Sequence, residues 1–451
     1  MNRFVRALTV LSCGLAVIPP AGYGADALSW RECVRLAKDK NPQLVSAQQV
    51  IRQNKAAKGI TRSGYLPQIS ANLGAEVSRQ EGGLSAGELA VYSAAGVGAS
   101  QLLRQGVSTT SNKVEKYSYG VSGTQMLFDG LKTIYDVNSA QSLVEYAQYQ
   151  YAYTSSQLRH DLRLAFVQLL KAQESIVISK EITARWKKNR ELVLMRYKAG
   201  REHRGSLMSA EANLAQAHYR LLQAERSITA AQRGLLRQMG FYSFTSVRAG
   251  GTLRGAIQHD RNKPDFNNIV DAHPLVLQIV KRKESARYTE KSQIAGLSPV
   301  ISATGSIGKS DDKFLPKNTN WSAGVQATLP LFDGGNRYYN IEKARAAHRQ
   351  LKADELNTRE QVILALEQKW IDWQNAIDLV GVQRKFLAAA EERSRIAEAE
   401  YSLGLVLFDN WIIIEDDLAQ KKLAYLDARA NELNAEAEWI QAKGETLDYD
   451  L

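Results

Sequence analysis

Two periodicities alternate along the chain, and the alternation occurs twice. From Leu66 to Val77 apolar and polar residues take turns, with Ile69, Ala71, Leu73, Ala75 and Val77 opposing Gln68, Ser70, Asn72 and Glu76. Period two with one apolar face predicts a strand. The same reading holds for 117–128 and for 298–309, where Ile301, Ala303 and Ile307 oppose Ser302, Thr304 and Ser306. It holds again for 320–332, where Trp321, Ala323, Val325, Ala327, Leu329 and Leu331 oppose Ser322, Gly324, Gln326 and Thr328. After Phe128-Asp129-Gly130 the spacing changes: Leu158, Leu162, Phe166, Leu169 and Leu170 recur at helical intervals through 131–199, a segment without proline. A helix of that length runs about 100 Å at 1.5 Å per residue, beyond any globular core, and its apolar stripe needs partner helices as a coiled coil does.

The second half of the chain copies the first. Pro67-Gln68-Ile69-Ser70-Ala71 recurs as Pro299-Val300-Ile301-Ser302-Ala303, and Asn41-Pro42 as His273-Pro274, both at an offset of 232. Leu127-Phe128-Asp129-Gly130 recurs as Leu331-Phe332-Asp333-Gly334 at an offset of 204, and Tyr197, Gly200 and Gly240 keep that offset to Tyr401, Gly404 and Gly444. The drop places 28 extra residues in copy one between Ala71 and Leu127, read as a long external loop or an inward plug. Copy one is 26–240, with a long helix at 131–199 and a return helix at 206–239; copy two is 265–444, with helices at 335–403 and 410–443. A short helix from Pro42 stacked on a return helix would match one long helix. The polar, glycine-containing segment 241–264 supplies an irregular waist between copies, and 445–451 is a short tail.

The N-terminus bears on the compartment. Arg3 and Arg6 precede an apolar run from Ala7 to Ile18 and a small-residue segment, so 1–25 reads as a secretory signal cleaved between Gly24 and Leu28. Lipidation of Cys13 is the rival reading. No later segment reaches the roughly 18 apolar residues a membrane helix needs, so the exported chain either stays soluble or inserts as a barrel. Net charge is +11, but the bases are scattered among acids along helical stretches, which reads as solvated helix faces rather than a nucleic-acid surface. Cys33 lacks a second mature cysteine for a disulfide. The six histidines are dispersed, Gly96-Val97-Gly98 lacks the rest of a dinucleotide fingerprint, and no metal, cofactor or nucleophile constellation is proposed.

Alternating strands of this length serve a soluble sheet or a membrane barrel equally. In the barrel reading four strands cannot close alone, because open edges in lipid leave backbone groups unpaired. Two chains would give about eight strands and a filled interior, three about twelve and a usable lumen. Tyr117, Tyr119 and Trp321 then sit where an interfacial aromatic girdle belongs.

The chain resembles the TolC family of outer-membrane efflux and secretion channels over nearly its full length. The resemblance rests on Leu28-Ser29, Asn41-Pro42, Tyr65-Leu66-Pro67, Pro330-Leu331-Phe332-Asp333-Gly334-Gly335, and the turns Tyr197-Lys198-Ala199-Gly200 and Tyr401-Ser402-Leu403-Gly404. No one motif is specific; their doubled order is. The resemblance implies a mainly α protein with a membrane β-barrel. Each protomer would carry four strands and a long antiparallel coiled-coil tunnel, and a homotrimer would form twelve strands and twelve helices in outer-membrane lipid. It also implies a periplasmic adaptor (membrane fusion) protein and an inner-membrane pump, with the helical tips as the periplasmic aperture.

The tips depart from the family's pattern. Where it usually carries aspartate, this chain has Ser206, Ser209, Asn410 and Ile413. Ser206 and Asn410 are expected to cap the return helices, and Ser29 with Glu32 to form a capping box at the first helix. Asp409, Glu211 and Glu415 are the candidate carboxylates for a narrowed, cation-attracting aperture. Gly200, Arg201, His203 and Arg204 make a basic turn in copy one, while Gly404 and Leu405 form its counterpart in copy two. The expected function is a passive exit duct for an efflux pump or a type I secretion system, without catalysis, its cargo left open between protein, drug and metal ion. The rival is a periplasmic coiled-coil scaffold or adaptor without a pore.

Overall fold

The computed structural model describes residues 27–81, 111–253 and 262–450. The proposed signal, Cys13, and most of the 28-residue insertion lie outside them. Copy one contributes α1 (Trp30–Lys40), α2 (Pro42–Arg62), β1 (Gln68–Glu81), β2 (Ser111–Phe128), α3 (Lys132–Lys198) and α4 (Arg204–Gln238). Copy two contributes α5 (Phe266–Ala272), α6 (Pro274–Ala295), β3 (Val300–Asp311), β4 (Thr319–Thr328), α7 (Asn336–Leu403) and α8 (Phe408–Ala442). Each copy runs through short helices, a strand pair, a long helix and a return helix, and α5 is an element that the sequence periodicity does not predict. The largest shift in bounds is at the first hairpin, where β1 and β2 continue into the ends of the insertion.

The chain forms two compact units, each drawing on both copies. One unit holds the sheet with most of α2, α6 and the first parts of α3 and α7. The four strands pair antiparallel in the order β1-β2-β3-β4. Register puts Ala71, Val121, Ile307 and Trp321 in one row across the sheet, and Ser70, Ser122, Ser306 and Ser322 in the next row on the opposite face. The hydroxyls of that second row bond pairwise, Ser70 with Ser122 and Ser306 with Ser322, each at 2.9 Å. Here α3 meets α6 through small polar contacts, with Ser139 Oγ 2.8 Å from Ser285 Oγ, and through the Lys281–Glu145 ion pair at 2.7 Å.

The other unit holds α1, α4, α5, α8 and the remainder of α3 and α7. Its core gathers Val34, Leu158, Leu162, Phe166, Leu169, Leu235, Leu426 and Leu433, so the stripe on α3 is buried as its spacing predicts. The corresponding place in copy two is filled by Trp370 and Trp373, edge-to-face at 5.5 Å, with Trp439 against Trp370 at 5.2 Å. Ion pairs join α3 of copy one to α8 of copy two: Lys171 with Asp427, Arg429 with Glu174, and Lys422 with Glu181. Side chains of α4 reach α3 (Arg190–Glu211), and those of α7 reach α8 (Lys369–Glu438). The capping box at Ser29 and Glu32 is present. From the waist, Leu28 and Ala249 form a parallel bridge, and the Gln173 amide accepts from Ala249 N–H and donates to its carbonyl.

The return helices end on equivalent glycines, Gly240 at φ +83° and Gly444 at φ +79°. Gly240 lies against Lys40 and Asn41, and Gly444 against His273 and Pro274. A side chain at 240 would press into the Lys40 carbonyl in a backbone conformation that L residues avoid. Gly240→Ala is expected to cost about 2 kcal/mol or more. Gly234→Ala, inside α4 with open space around it, is expected to gain about 0.5–1 kcal/mol. Urea unfolding midpoints of the two variants check both signs.

Candidate functional site at the helical tips and the sheet

The two helical turns near residues 200 and 404 are built alike. Gly200 (φ +71°) and Gly404 (φ +83°) reverse the chain after α3 and α7. Arg201 N–H then donates to the Arg196 carbonyl, and Leu405 N–H to that of Glu400, each at 2.9 Å. These six-to-one bonds satisfy carbonyls that a helix end leaves free, and glycine meets the left-handed angle without strain.

Beyond the glycines the turns differ. The first is exposed and basic at Arg201 and Arg204, whereas the second exposes Leu403, Leu405 and Leu407. The return helices start two residues earlier than expected, at Arg204 and Phe408. Ser206 and Asn410 therefore sit inside the first turn and are not the caps. The cap of α4 is His203, whose Nδ1 accepts the Ser206 N–H at 3.2 Å, and α8 begins at Leu407 with no side-chain cap. Asp409 and Asn410 are exposed at the start of α8, and Glu211 is exposed with Arg190 at 3.1 Å.

Glu415 is the clearest departure. Expected as an aperture carboxylate, it is 2% exposed and satisfied within its own chain. It accepts from Arg185 Nε at 2.5 Å, Ser394 Oγ at 2.5 Å and Asn189 Nδ2 at 3.1 Å. A carboxylate placed among these donors is a buried clamp joining α3, α7 and α8.

Toward the turns a second clamp centres on Tyr401, which is fully buried. Its ring stacks on Trp411 at 4.2 Å and 16°, and the Arg196 guanidinium lies 4.7 Å from its centroid. Arg196 Nη1 donates to the Tyr401 carbonyl at 2.7 Å, and the phenol donates to Glu202 at 2.9 Å. Burial, helped by the Glu202 contact, raises the phenol's pKa, so it remains a donor. Burial alone would raise the Glu202 carboxyl, yet bonds from Ser206, Tyr401 and the His203 N–H together hold it below the usual range. The sequence marks Tyr401 only as part of a turn motif, and its patterning does not single out Arg196, Glu202, Trp411 or Arg185. One signal was available: Glu202 aligns with Val406 at the repeat offset, so the copies differ there.

In the sheet, the apolar face is bare. Leu73 is 89%, Trp321 76% and Val325 69% exposed, with Ile69, Val77, Tyr119, Val121 and Ile307 also uncovered. Tyr117, Tyr119 and Trp321 all lie on this face, and Tyr117 meets Phe314 edge-to-face at 5.7 Å. Among the described residues, each of β1 and β4 is paired along one edge only. In the tip unit, α7 likewise leaves Leu364, Ile371, Leu379, Val382 and Phe386 exposed along its length. Among the described residues no helix is long and apolar enough to cross a membrane, and no group of His, Cys, Asp and Glu is arranged to hold a metal.

Comparison with known proteins gives consistent matches. The profile described as outer membrane efflux protein matches residues 33–240 and 267–448. The chain is 22% identical over 447 residues to "Proteases secretion protein PrtF" of Dickeya chrysanthemi, covering 96% of this chain and 91% of that one. It is 23% identical over 336 residues to "Protein CyaE" of Bordetella pertussis, covering 73% of this chain and 65%, just under two thirds, of that relative. The fold matches the Campylobacter jejuni CmeC outer membrane channel with a TM-score of 0.77 at 16% identity, over 92% of this chain and 85% of that one.

Proposed function

The chain belongs to the outer membrane efflux protein family, and from that premise we propose that three copies close into one passive export duct. The bare sheet carries this reading. β1 and β4 present unpaired edges, and β4 has neither proline nor a charged residue to discourage pairing. Joining β4 of one copy to β1 of the next satisfies both edges, and three copies close about twelve strands around a lumen. The exposed apolar face then meets lipid, with Tyr117, Tyr119 and Trp321 as its girdle, and the serine row faces water. The apolar stripe on α7 supports the same packing, a neighbouring copy being the surface that buries it.

The helical turns are the periplasmic end, where an adaptor and an inner-membrane transporter supply the energy. Gly200, Arg201, Arg204, Gly404, Leu405, Asp409 and Asn410 are the groups such a partner would meet. The secretion role in the name of PrtF, matched over nearly the whole chain, favours a polypeptide cargo. Protein extracted from outer membranes in mild detergent is expected to have the mass of a trimer and to give small discrete conductance steps in a planar bilayer. A water-soluble monomer without conductance would overturn the duct and favour a coiled-coil scaffold.

A further inference from the structure

We propose that His203 is an acid-sensitive cap whose protonation loosens the α4 side of the tip and releases Glu202 from Tyr401. The inference goes beyond the export reading and needs neither the cargo nor the number of copies.

The starting point is an unusual helix start. Residues with short oxygen-bearing side chains dominate helix caps, yet here an imidazole occupies the place. His203 Nδ1 takes the Ser206 N–H at 3.2 Å, and Nε2 lies 3.0 Å from Ser206 Oγ. Gly205 makes the room: a side chain there would come within 3.0 Å of Nδ1 and 3.1 Å of the neighbouring ring carbon. Glycine is a poor residue inside a helix, and its presence is explained by the ring it accommodates. Ser206, the residue being capped, is 1% exposed, so its N–H has little access to water as a substitute acceptor.

An imidazole nitrogen accepts a hydrogen bond only while it lacks a proton. Protonation therefore removes the cap and places a cation at the positive end of the α4 dipole, two effects of the same sign. The charged and titratable groups on its own turn are Arg201, Glu202 and Arg204, and Glu202 in turn connects it to Tyr401 on α7 and, through the Tyr401 carbonyl, to Arg196 on α3. Glu202 is the one anion among them, and it already accepts from the His203 N–H and the Tyr401 phenol. An imidazolium beside it competes with the phenol for that carboxylate. Acid thus weakens both the first turn of α4 and one of the ties holding the two helical hairpins together. The equivalent position in copy two, Leu407, has nothing to titrate, so the response belongs to one turn of the pair.

Amide exchange of the full-length protein, followed by mass spectrometry at pH 7.5 and 5.5 and corrected for intrinsic rates, tests this. Protection of the peptides covering 203–210 is expected to fall about five-fold on acidification, the factor corresponding to a typical cap. His203→Asn supplies a cap that does not titrate, and its protection is expected to be the same at both pH values. His203→Ala, which loses the cap without gaining a charge, is expected to be less protected than the unmodified chain at pH 7.5 and to show no fall on acidification. An equal fall in the Asn variant, or no fall in the unmodified chain, would overturn the proposal. Either result can be read whether or not the protein forms a conducting trimer.

Discussion

With Arg in place of Val325, the protein is expected to lose its assembled form in the outer membrane. Val325 lies on the bare apolar face of β4, 69% exposed in the single chain and directly opposite Ala303. A soluble sheet with this residue in water would accept the substitution at almost no cost. A lipid-facing strand would not: an arginine near mid-bilayer costs about 2–4 kcal/mol, and a trimer carries the penalty three times. The adjacent Gln326 pairs with Ser302 on the other face, where a wetted lumen would solvate a charge. Gln326→Arg is accordingly expected to assemble normally and to change only conductance and ion preference. Semi-native electrophoresis of outer-membrane extracts, with bilayer recordings on whatever trimer is recovered, separates the two variants. If Val325→Arg assembled as well as Gln326→Arg, the apolar face would not be in lipid.

That contrast was available from the sequence because a strand's faces are set by local alternation. Trp321, Ala323 and Val325 against Ser322, Gly324 and Gln326 need only a register to become two surfaces, and the observed pairing adds the rows. The repeat made the glycine turns legible for a similar reason. Gly200 and Gly404, or Gly240 and Gly444, recur because each pair must adopt the same positive φ. One strained position escaped this reading: Leu131 follows Gly130 at φ +71°, where copy two has Gly335 at φ +87°.

The tips were read less well, for physical reasons. Capping rules weight side-chain oxygen and so point to Ser206 and Asn410, whereas the helices start after His203 and Leu407. Burial of Glu415 was not legible at all. A wall helix such as α8 contacts neighbours on more than one side, and its apolar residues do not collect on one face that would mark the rest as solvated. Whether a carboxylate there faces solvent or a guanidinium depends on Arg185, 230 residues earlier in the chain. Ion pairs between α3 and α8 are long-range throughout, and none follows from helical spacing within either segment.

The Glu415 clamp yields the second large effect. Arg185→Met removes the two guanidinium bonds to Glu415, at 2.5 and 3.2 Å, together with the Arg185 contacts to Ser394 and Glu398, but leaves the Glu415 carboxylate in place with its side chain 1% exposed. Ser394 and Asn189 remain as neutral donors and do not balance the charge. Removing one partner of a fully buried pair costs about 3–5 kcal/mol, chiefly because the stranded charge has lost water without compensation. With the Arg185 side chain 34% exposed, solvent screening brings the expected cost here to about 2–3 kcal/mol. Arg185→Met is therefore expected to lower the urea midpoint markedly and to expose the stretches of α3, α7 and α8 around the clamp to proteolysis. The double variant Arg185→Met with Glu415→Leu separates that cause from lost packing. Apolar replacement of both members of such a pair is often neutral or stabilising, so most of the lost stability is expected to return. Surface pairs nearby give the scale for comparison: Lys188→Met, opposite the half-buried Glu398, is expected to cost no more than about 1 kcal/mol. If the double variant stayed as unstable as Arg185→Met alone, the cost would lie in lost packing or in the Ser394 and Asn189 bonds. The clamp would then owe its strength to shape rather than charge.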